Sequence, residues 1–135
     1  MLAIEACARA ADEIAEFEST IGQRAIVTLG RMRLTSQSVG PKIAWVIRHE
    51  PEVARRAVAW HTATSFLVER LTGVAVIDHH QASFFGPFID ARHRSWDLRH
   101  GTGLGLEGRL PRLGWPSDIA GTILDTARSE EHTSE

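Results

Sequence analysis

The chain has a single cysteine, Cys7, among its 135 residues, and it has no long apolar run. With no second cysteine, an internal disulfide cannot form and a multi-cysteine zinc site cannot be built. No stretch approaches the ~20 apolar residues that a membrane-spanning helix needs. Glu5 and Arg9 also interrupt the region where a signal peptide would be apolar. These absences predict a protein of the reducing cytoplasm with no membrane segment.

An excess of either charge is also missing. Lys and Arg total 15 against 17 for Asp and Glu, so the formal net charge is −2. A chain of this balance has no basic stripe to neutralise a run of phosphates, and this argues against nucleic acid as a partner. With 43% hydrophobic and 24% charged residues, the composition is that of a globular chain with one modest core.

The first segment has the periodicity of an amphipathic helix. Apolar residues recur every three or four positions and polar residues fill the other side, a pattern that predicts a helix, and Gly22 is placed to end it. The apolar set is Ile4, Cys7, Ala11, Ile14 and Phe17, and the polar set is Glu5, Arg9, Asp12, Glu13 and Glu16.

Proline, threonine and glycine punctuate the middle of the chain. Residues 41–49 are predicted to form a helix, and Pro51 can open a further helical turn because proline lacks only an amide hydrogen that is unpaired there. Thr62 or Thr64 can cap the next helix, and Gly73 can end it in a left-handed conformation. The predicted apolar face of that helix consists of Ala63, Phe66, Leu67 and Leu71.

Little of the sequence favours strand. Residues 74–77 form a short apolar run rich in valine and isoleucine, and residues 88–89 suggest a second short strand. After Trp96, four glycines in residues 101–108 weaken any helix. The chain as it stands is therefore predicted to be mostly helical.

The last eight residues, 128–135, differ in character from the rest. They read RSEEHTSE, contain no apolar residue and match the translation of a common sequencing adapter. We therefore interpret them as a non-native tail and take residues 1–127 as the folding unit.

An ordered set of elements in residues 38–83 resembles one enzyme family. Gly-Pro-Lys leads into a helix bearing Trp45, and it is followed by Glu-Pro-Glu, by Leu-Thr-Gly, and by Asp78 with Ala82 and Ser83. In this order and spacing the elements resemble the FGGY carbohydrate kinases, closest to their xylulokinase-like branch. The resemblance extends over about residues 10–124.

The resemblance implies an α/β parent fold of the actin-like, ribonuclease H-like ATPase type. It implies that the parent uses ATP and Mg²⁺ to phosphorylate a pentulose such as xylulose, or a related polyol. The family's Asp-x-Gly-Thr phosphate loop and catalytic aspartate have no counterpart in these residues. We therefore expect residues 1–127 to be a partial N-terminal, sugar-binding domain that is inactive alone, with no catalytic residue, metal ligand or cofactor of its own. Homo-oligomerisation is left open.

The resemblance also implies one substrate contact. In related polyol kinases a side chain shortly before the Gly-x-Lys turn touches the substrate, and Gln37 occupies that position. Its amide can donate to and accept from sugar hydroxyls. The alternative is that Gln37 is a solvated loop residue.

Asp78, His79 and His80 support a competing hypothesis. A short apolar run followed by Asp-His-His resembles the metal-binding motif of a phosphoesterase family. Such a site needs further aspartates from earlier strands, and only Asp12 precedes Asp78. The alternative is that Asp78 accepts hydrogen bonds from backbone amides at a turn. A third hypothesis is a non-catalytic helical module.

Overall fold

The computed structural model describes residues 9–128. Within these residues the helices are α1 (Ala11–Ile21), α2 (Gln23–Gly30), α3 (Val39–His49), α4 (Pro51–Arg56), α5 (Ala63–Thr72) and α6 (His79–Ser83). The strands are β1 (Val76–Asp78), β2 (Ile89–Asp90), β3 (Ser95–Trp96) and β4 (Arg112–Gly114), and 3₁₀ turns lie at Arg99–Gly101 and Asp125–Ala127. The prediction of a mostly helical chain with little strand is confirmed. No helix of residues 9–128 is long and apolar enough to cross a membrane.

The strands form two separate pairs. β1 and β4 run parallel, with Ile77 opposite Leu113, and β2 and β3 run antiparallel. Parallel neighbours need a long crossover, and here residues 79–111 supply it. Since α5 and α6 both contact β1, the helices on either side of this strand hold it in place.

The core lies between the first three helices and residues 85–89. Phe85 and Phe88 are fully buried, and the Phe88 ring meets Phe17 of α1 edge to face, with ring centroids 5.8 Å apart. α2 contributes the buried Ile26. The segment around Phe88 therefore packs against helices that lie some 60 residues earlier in the chain.

An ion pair joins α1 to α3. The side chain of Glu13 is only 3% exposed, and its Oε1 lies 3.5 Å from Arg48 Nη1. Arg48 Nη2 also donates to Glu16 Oε1 at 2.8 Å. The prediction that Glu13 lies on the polar side of this helix, away from the core, is wrong, and Ala11, predicted to be on the apolar side, is exposed. The buried stripe is therefore rotated from the predicted one, and Arg48 provides a charge partner for the buried Glu13.

α2 is a helix where the sequence predicted only an apolar patch over residues 25–29. It follows α1 directly, and Gly22, between the two, has φ +89°, a conformation that favours glycine. α2 is eight residues long, and Ile26 and Gly30 are its buried residues. A run this short and with three β-branched residues, Ile26, Val27 and Thr28, carries no clear helical period.

The capping prediction for α5 is confirmed. Thr62 and Ser65 form a reciprocal capping box, and Gly73 ends the helix at φ +73°. The predicted apolar face is only partly buried, because Phe66 is 54% exposed and Leu67 57% exposed. The helix ends are therefore fixed by local hydrogen bonds, whereas part of its apolar face has no cover within residues 9–128.

Among the glycines of the described chain, Gly40 leaves the least room for a side chain, because the backbone of Gly86 lies directly against it. A Cβ atom added to Gly40 would lie 2.1 Å from the Gly86 carbonyl oxygen. Next to it, Val39 N donates to Phe84 O at 2.7 Å. The first turn of α3 can rest on the 84–86 backbone only because position 40 has no side chain.

We predict that Gly40→Ala lowers the free energy of unfolding by at least about 2 kcal/mol, because backbone and not a flexible side chain must move to admit the methyl group. Gly30→Ala is the matched control, since Gly30 is also buried and helical but its added Cβ would have its nearest neighbour at 3.8 Å. The free energy of unfolding of the Gly30→Ala variant should be unchanged or raised by up to about 1 kcal/mol. Urea unfolding followed by circular dichroism measures both. Equal effects of the two substitutions would contradict the steric argument.

We predict that Arg48→Gln costs about 1–3 kcal/mol, because it leaves the buried Glu13 carboxylate without its cation. The same substitution should cost less in a Glu13→Gln background, where no charge is stranded. A double-mutant cycle in urea therefore gives a coupling of about 1 kcal/mol. Additive losses would show that Arg48 acts through packing alone.

The pH dependence of the Arg48→Gln effect follows from Glu16. Its hydrogen bond from Arg48, helped by the positive charge of that guanidinium, lowers the pKa of Glu16. A lowered folded-state pKa adds stability above the unfolded value of about 4.3, and this stability is lost as pH falls through the folded value. The Glu16 part of the difference between wild type and Arg48→Gln should therefore shrink below about pH 4.

Candidate functional site

A tight turn over residues 35–38 presents Gln37. Thr35 N donates to Ser38 Oγ at 2.9 Å, and Ser38 N donates back to Thr35 O at 2.9 Å. Gln37 N donates to Thr35 Oγ1 at 3.1 Å. Hydroxyl side chains thus satisfy two backbone amides of the turn. The backbone that carries Gln37 is held from both sides.

Ser38 connects this turn to the core. Its residue is 3% exposed, although its neighbours Ser36 and Gln37 are exposed. It immediately precedes α3, whose first turn rests on the 84–86 backbone. The position of Gln37 therefore depends on Ser38 and on the Gly40 contact. The sequence analysis missed both roles; a serine directly before Val-Gly-Pro was the available indication of a structured helix entrance.

The side chain of Gln37 has no hydrogen-bond partner in residues 9–128 and is exposed. Its amide keeps one acceptor oxygen and two donor hydrogens for an external ligand. An amide of this kind suits a neutral ligand rich in hydroxyl groups. The geometry is compatible with the sugar contact expected from the sequence, and equally with a solvated turn residue.

Asp78 acts as a helix cap. It is the N-cap of α6, and its Oδ1 accepts a hydrogen bond from Gln81 N at 2.9 Å. The His79 ring packs on Trp115 with centroids 4.6 Å apart, whereas the His80 ring meets Phe84. The three side chains thus have different neighbours. Residues 9–128 contain no group of three His, Cys, Asp or Glu side chains arranged to hold a metal ion.

The glycine-rich segment after the 3₁₀ turn at Arg99–Gly101 is a series of turns. Gly103, Gly105 and Gly108 all have positive φ. No helix follows them within residues 102–111. The spacing of Gly103, Gly105 and Gly108 formally matches that of a dinucleotide-binding loop, but such a loop needs a strand leading into the glycines and a helix after them, and this context is missing here.

The tryptophans differ in burial. Trp60 and Trp96 pack against the core, and Trp96 Nε1 donates to Pro111 O at 2.8 Å. Trp115 is 48% exposed and lies between His79 and the Arg94 guanidinium, whose Cζ is 4.8 Å from the ring centroid. Unlike Trp60 and Trp96, Trp115 therefore lies outside the core. Trp115 directly follows β4, and its ring contacts the polar side chains of His79 and Arg94.

Comparison with known sequences identifies the class. Residues 3–131 match the N-terminal domain of the FGGY family of carbohydrate kinases. The chain belongs to this family, as the ordered elements in residues 38–83 predicted.

Among curated proteins, the chain is 31% identical over 115 residues to a xylulose kinase of Streptomyces rubiginosus. The alignment covers 78% of this chain and 24% of that protein, so the chain spans about a quarter of the length of this relative. A xylulose kinase of Streptomyces coelicolor is 34% identical over 85 residues, which are 62% of this chain and 18% of that protein.

Solved structures agree on the fold. The xylulose kinase of Rhodospirillum rubrum superposes with a TM-score of 0.77 at 25% identity, covering 88% of this chain and 24% of that one. A gluconate kinase from Lactobacillus acidophilus superposes with the same TM-score of 0.77 at 20% identity, over 90% of this chain and 24% of that one. The prediction of a parent fold of the actin-like sugar-kinase type is confirmed. Cys7 and the 129–135 part of the tail lie outside the described residues, and the domain boundary at residue 127 stays a prediction.

We predict that Asp78→Ala costs about 1 kcal/mol through loss of the α6 cap, and that Asp78→Asn, which keeps a side-chain acceptor, costs much less. Thermal unfolding of the three proteins, with and without MnCl₂, measures this. Manganese should shift all three midpoints equally. A manganese-dependent stabilisation that Asp78→Asn abolishes would instead support the phosphoesterase hypothesis.

Proposed function

We propose that this chain is part of an ATP-dependent kinase that phosphorylates a hydroxyl group of a pentulose such as xylulose, or of a related polyol. The observation that carries the proposal is the 31% identity to a xylulose kinase over 78% of the chain. The presented amide of Gln37 is compatible with a substrate rich in hydroxyl groups. A cytoplasmic location belongs to the same proposal.

ATP and Mg²⁺ do not fit the described residues by themselves. Phosphoryl transfer needs a cradle for phosphates, a metal site and a carboxylate that accepts the hydroxyl proton. Residues 9–128 bring no three metal-binding side chains together, and the glycine-rich turns after Gly101 lead into no helix. We therefore propose that other parts of the enzyme supply these groups and that the present chain contributes to sugar binding.

The proposed role of Gln37 is to hold the sugar, and not to take part in the chemistry. We predict that Gln37→Leu, in the full enzyme that contains this chain, raises KM for xylulose about 3- to 10-fold and leaves kcat nearly unchanged. The reason is that the same neutral hydrogen bond is lost from the enzyme–substrate complex and from the transition state. Gln23→Leu is the matched control, because Gln23 is also an exposed glutamine. A coupled assay for ADP release measures both.

The outcomes separate the two parts of the proposal. An unchanged KM in Gln37→Leu would remove the sugar contact and leave the kinase assignment intact. If the full enzyme did not phosphorylate xylulose, xylulose would be excluded as its substrate. Measurable turnover by the purified 135-residue chain with Mg²⁺ and ATP would contradict the proposal that the reactive groups lie elsewhere.

A further inference from the structure

A groove lies beside the junction of α1 and α2. It has a volume of about 590 Å³, within the range of small-molecule sites. Ile21 and Leu29 give it an apolar floor, and Arg24, Arg99 and His100 stand at its margin. Gln37 is not among the lining residues, so the groove is separate from the proposed sugar contact.

The helical wall of the groove has a fixed orientation. Ile26, on the opposite side of α2 from the groove, is 1% exposed, and Leu29 O accepts a hydrogen bond from Ala91 N at 2.8 Å. α2 is thereby attached to the core and to the end of β2. Arg24 projects from this attached helix, and its side chain has no hydrogen bond or ion pair to any residue of 9–128.

The 3₁₀ turn Arg99–Gly101 supplies the lining residues Arg99 and His100. Gly101 ends it and packs so tightly that an added Cβ would lie 3.0 Å from Leu106 Cδ1. Asp97 Oδ1 accepts from Arg99 N at 3.1 Å and from Arg99 Nε at 2.9 Å. The Arg99 guanidinium is therefore held in place by the carboxylate of Asp97, and its Nη1 has no partner in the described chain.

The charge of the groove is positive. Its lining includes no carboxylate. Asp97, the acid nearest to Arg99, is committed to that guanidinium, which with the nearby His100 lowers the pKa of Asp97. Asp90, the other acid that acts on Arg99, is bonded by its carboxylate to His93 Nδ1 at 2.7 Å. Arg24, Arg99 and His100 therefore line the groove with no carboxylate among the lining residues.

We propose that this groove binds a small amphipathic anion, a phosphate monoester whose apolar body lies on Ile21 and Leu29. A phosphate monoester has three terminal oxygens, and it can therefore accept hydrogen bonds from more than one of the lining side chains Arg24, Arg99 and His100. The apolar floor adds an attraction that inorganic phosphate cannot use.

The test uses the whole chain and phenyl phosphate as the probe. A ¹H–¹⁵N NMR titration should shift the backbone amides of Arg24, Leu29 and His100 in a saturable way. Arg24→Gln should weaken the affinity about 5- to 10-fold, the loss expected for one charge-assisted contact. Arg70→Gln is the matched control, because Arg70 is also exposed on a helix and does not line the groove. It should leave the affinity within about twofold of wild type.

Two further probes test the chemical class. Benzyl alcohol, which keeps the ring and lacks the charge, should cause no saturable shift, and inorganic phosphate should bind at least about fivefold more weakly than phenyl phosphate. The proposal is overturned by an unchanged affinity in Arg24→Gln, by an equal loss in Arg70→Gln, or by equal binding of inorganic phosphate and phenyl phosphate.

Discussion

The close approach of Gly40 to the Gly86 carbonyl is the constraint on which the arrangement of this domain depends. A hypothetical Cβ at 2.1 Å from a backbone oxygen leaves no room for any other residue at position 40 without movement of the main chain. The contact joins two segments more than 40 residues apart. On one side it orients α3, and on the other it fixes the turn that leads to the buried Phe88.

The same contact explains why a surface turn can present a side chain reproducibly. The turn over residues 35–38 is short of core contacts of its own, and Ser38 is its buried member. Because Val39 N donates a hydrogen bond to Phe84 O, the end of the turn is attached to the closely packed core and is held in a fixed position. An exposed amide on such a turn loses less conformational freedom on binding than one on a loose loop, and this favours affinity from a single polar contact.

The features predicted from the sequence are those that local chemistry decides. The α5 cap at Thr62, its left-handed end at Gly73 and the proline-initiated α4 depend on residues within four positions of each other. The burial of Glu13 could not be predicted, because its partner Arg48 lies 35 positions later and periodicity contains no information about it. α2 was missed for a related reason: its stability comes from Ile26 packing in the core, not from a helical pattern of its own. For the candidate site, Gln37 was predicted from the family resemblance. The roles of Ser38 and Gly40 in holding it in place could not be predicted, because they depend on a tertiary contact.

α5 shows how far local chemistry can go without tertiary cover. Its caps are complete, yet Phe66 and Leu67 remain more than half exposed. A capping box satisfies backbone amides whether or not the helix face is covered, since the hydrogen bonds lie within one turn. The apolar face, by contrast, is stabilised only by burial against another element. Local capping and burial of the apolar face are therefore separate contributions to the stability of α5. The apolar pattern in the sequence predicts which face of the helix is to be buried, but it does not predict which part of a protein packs against that face.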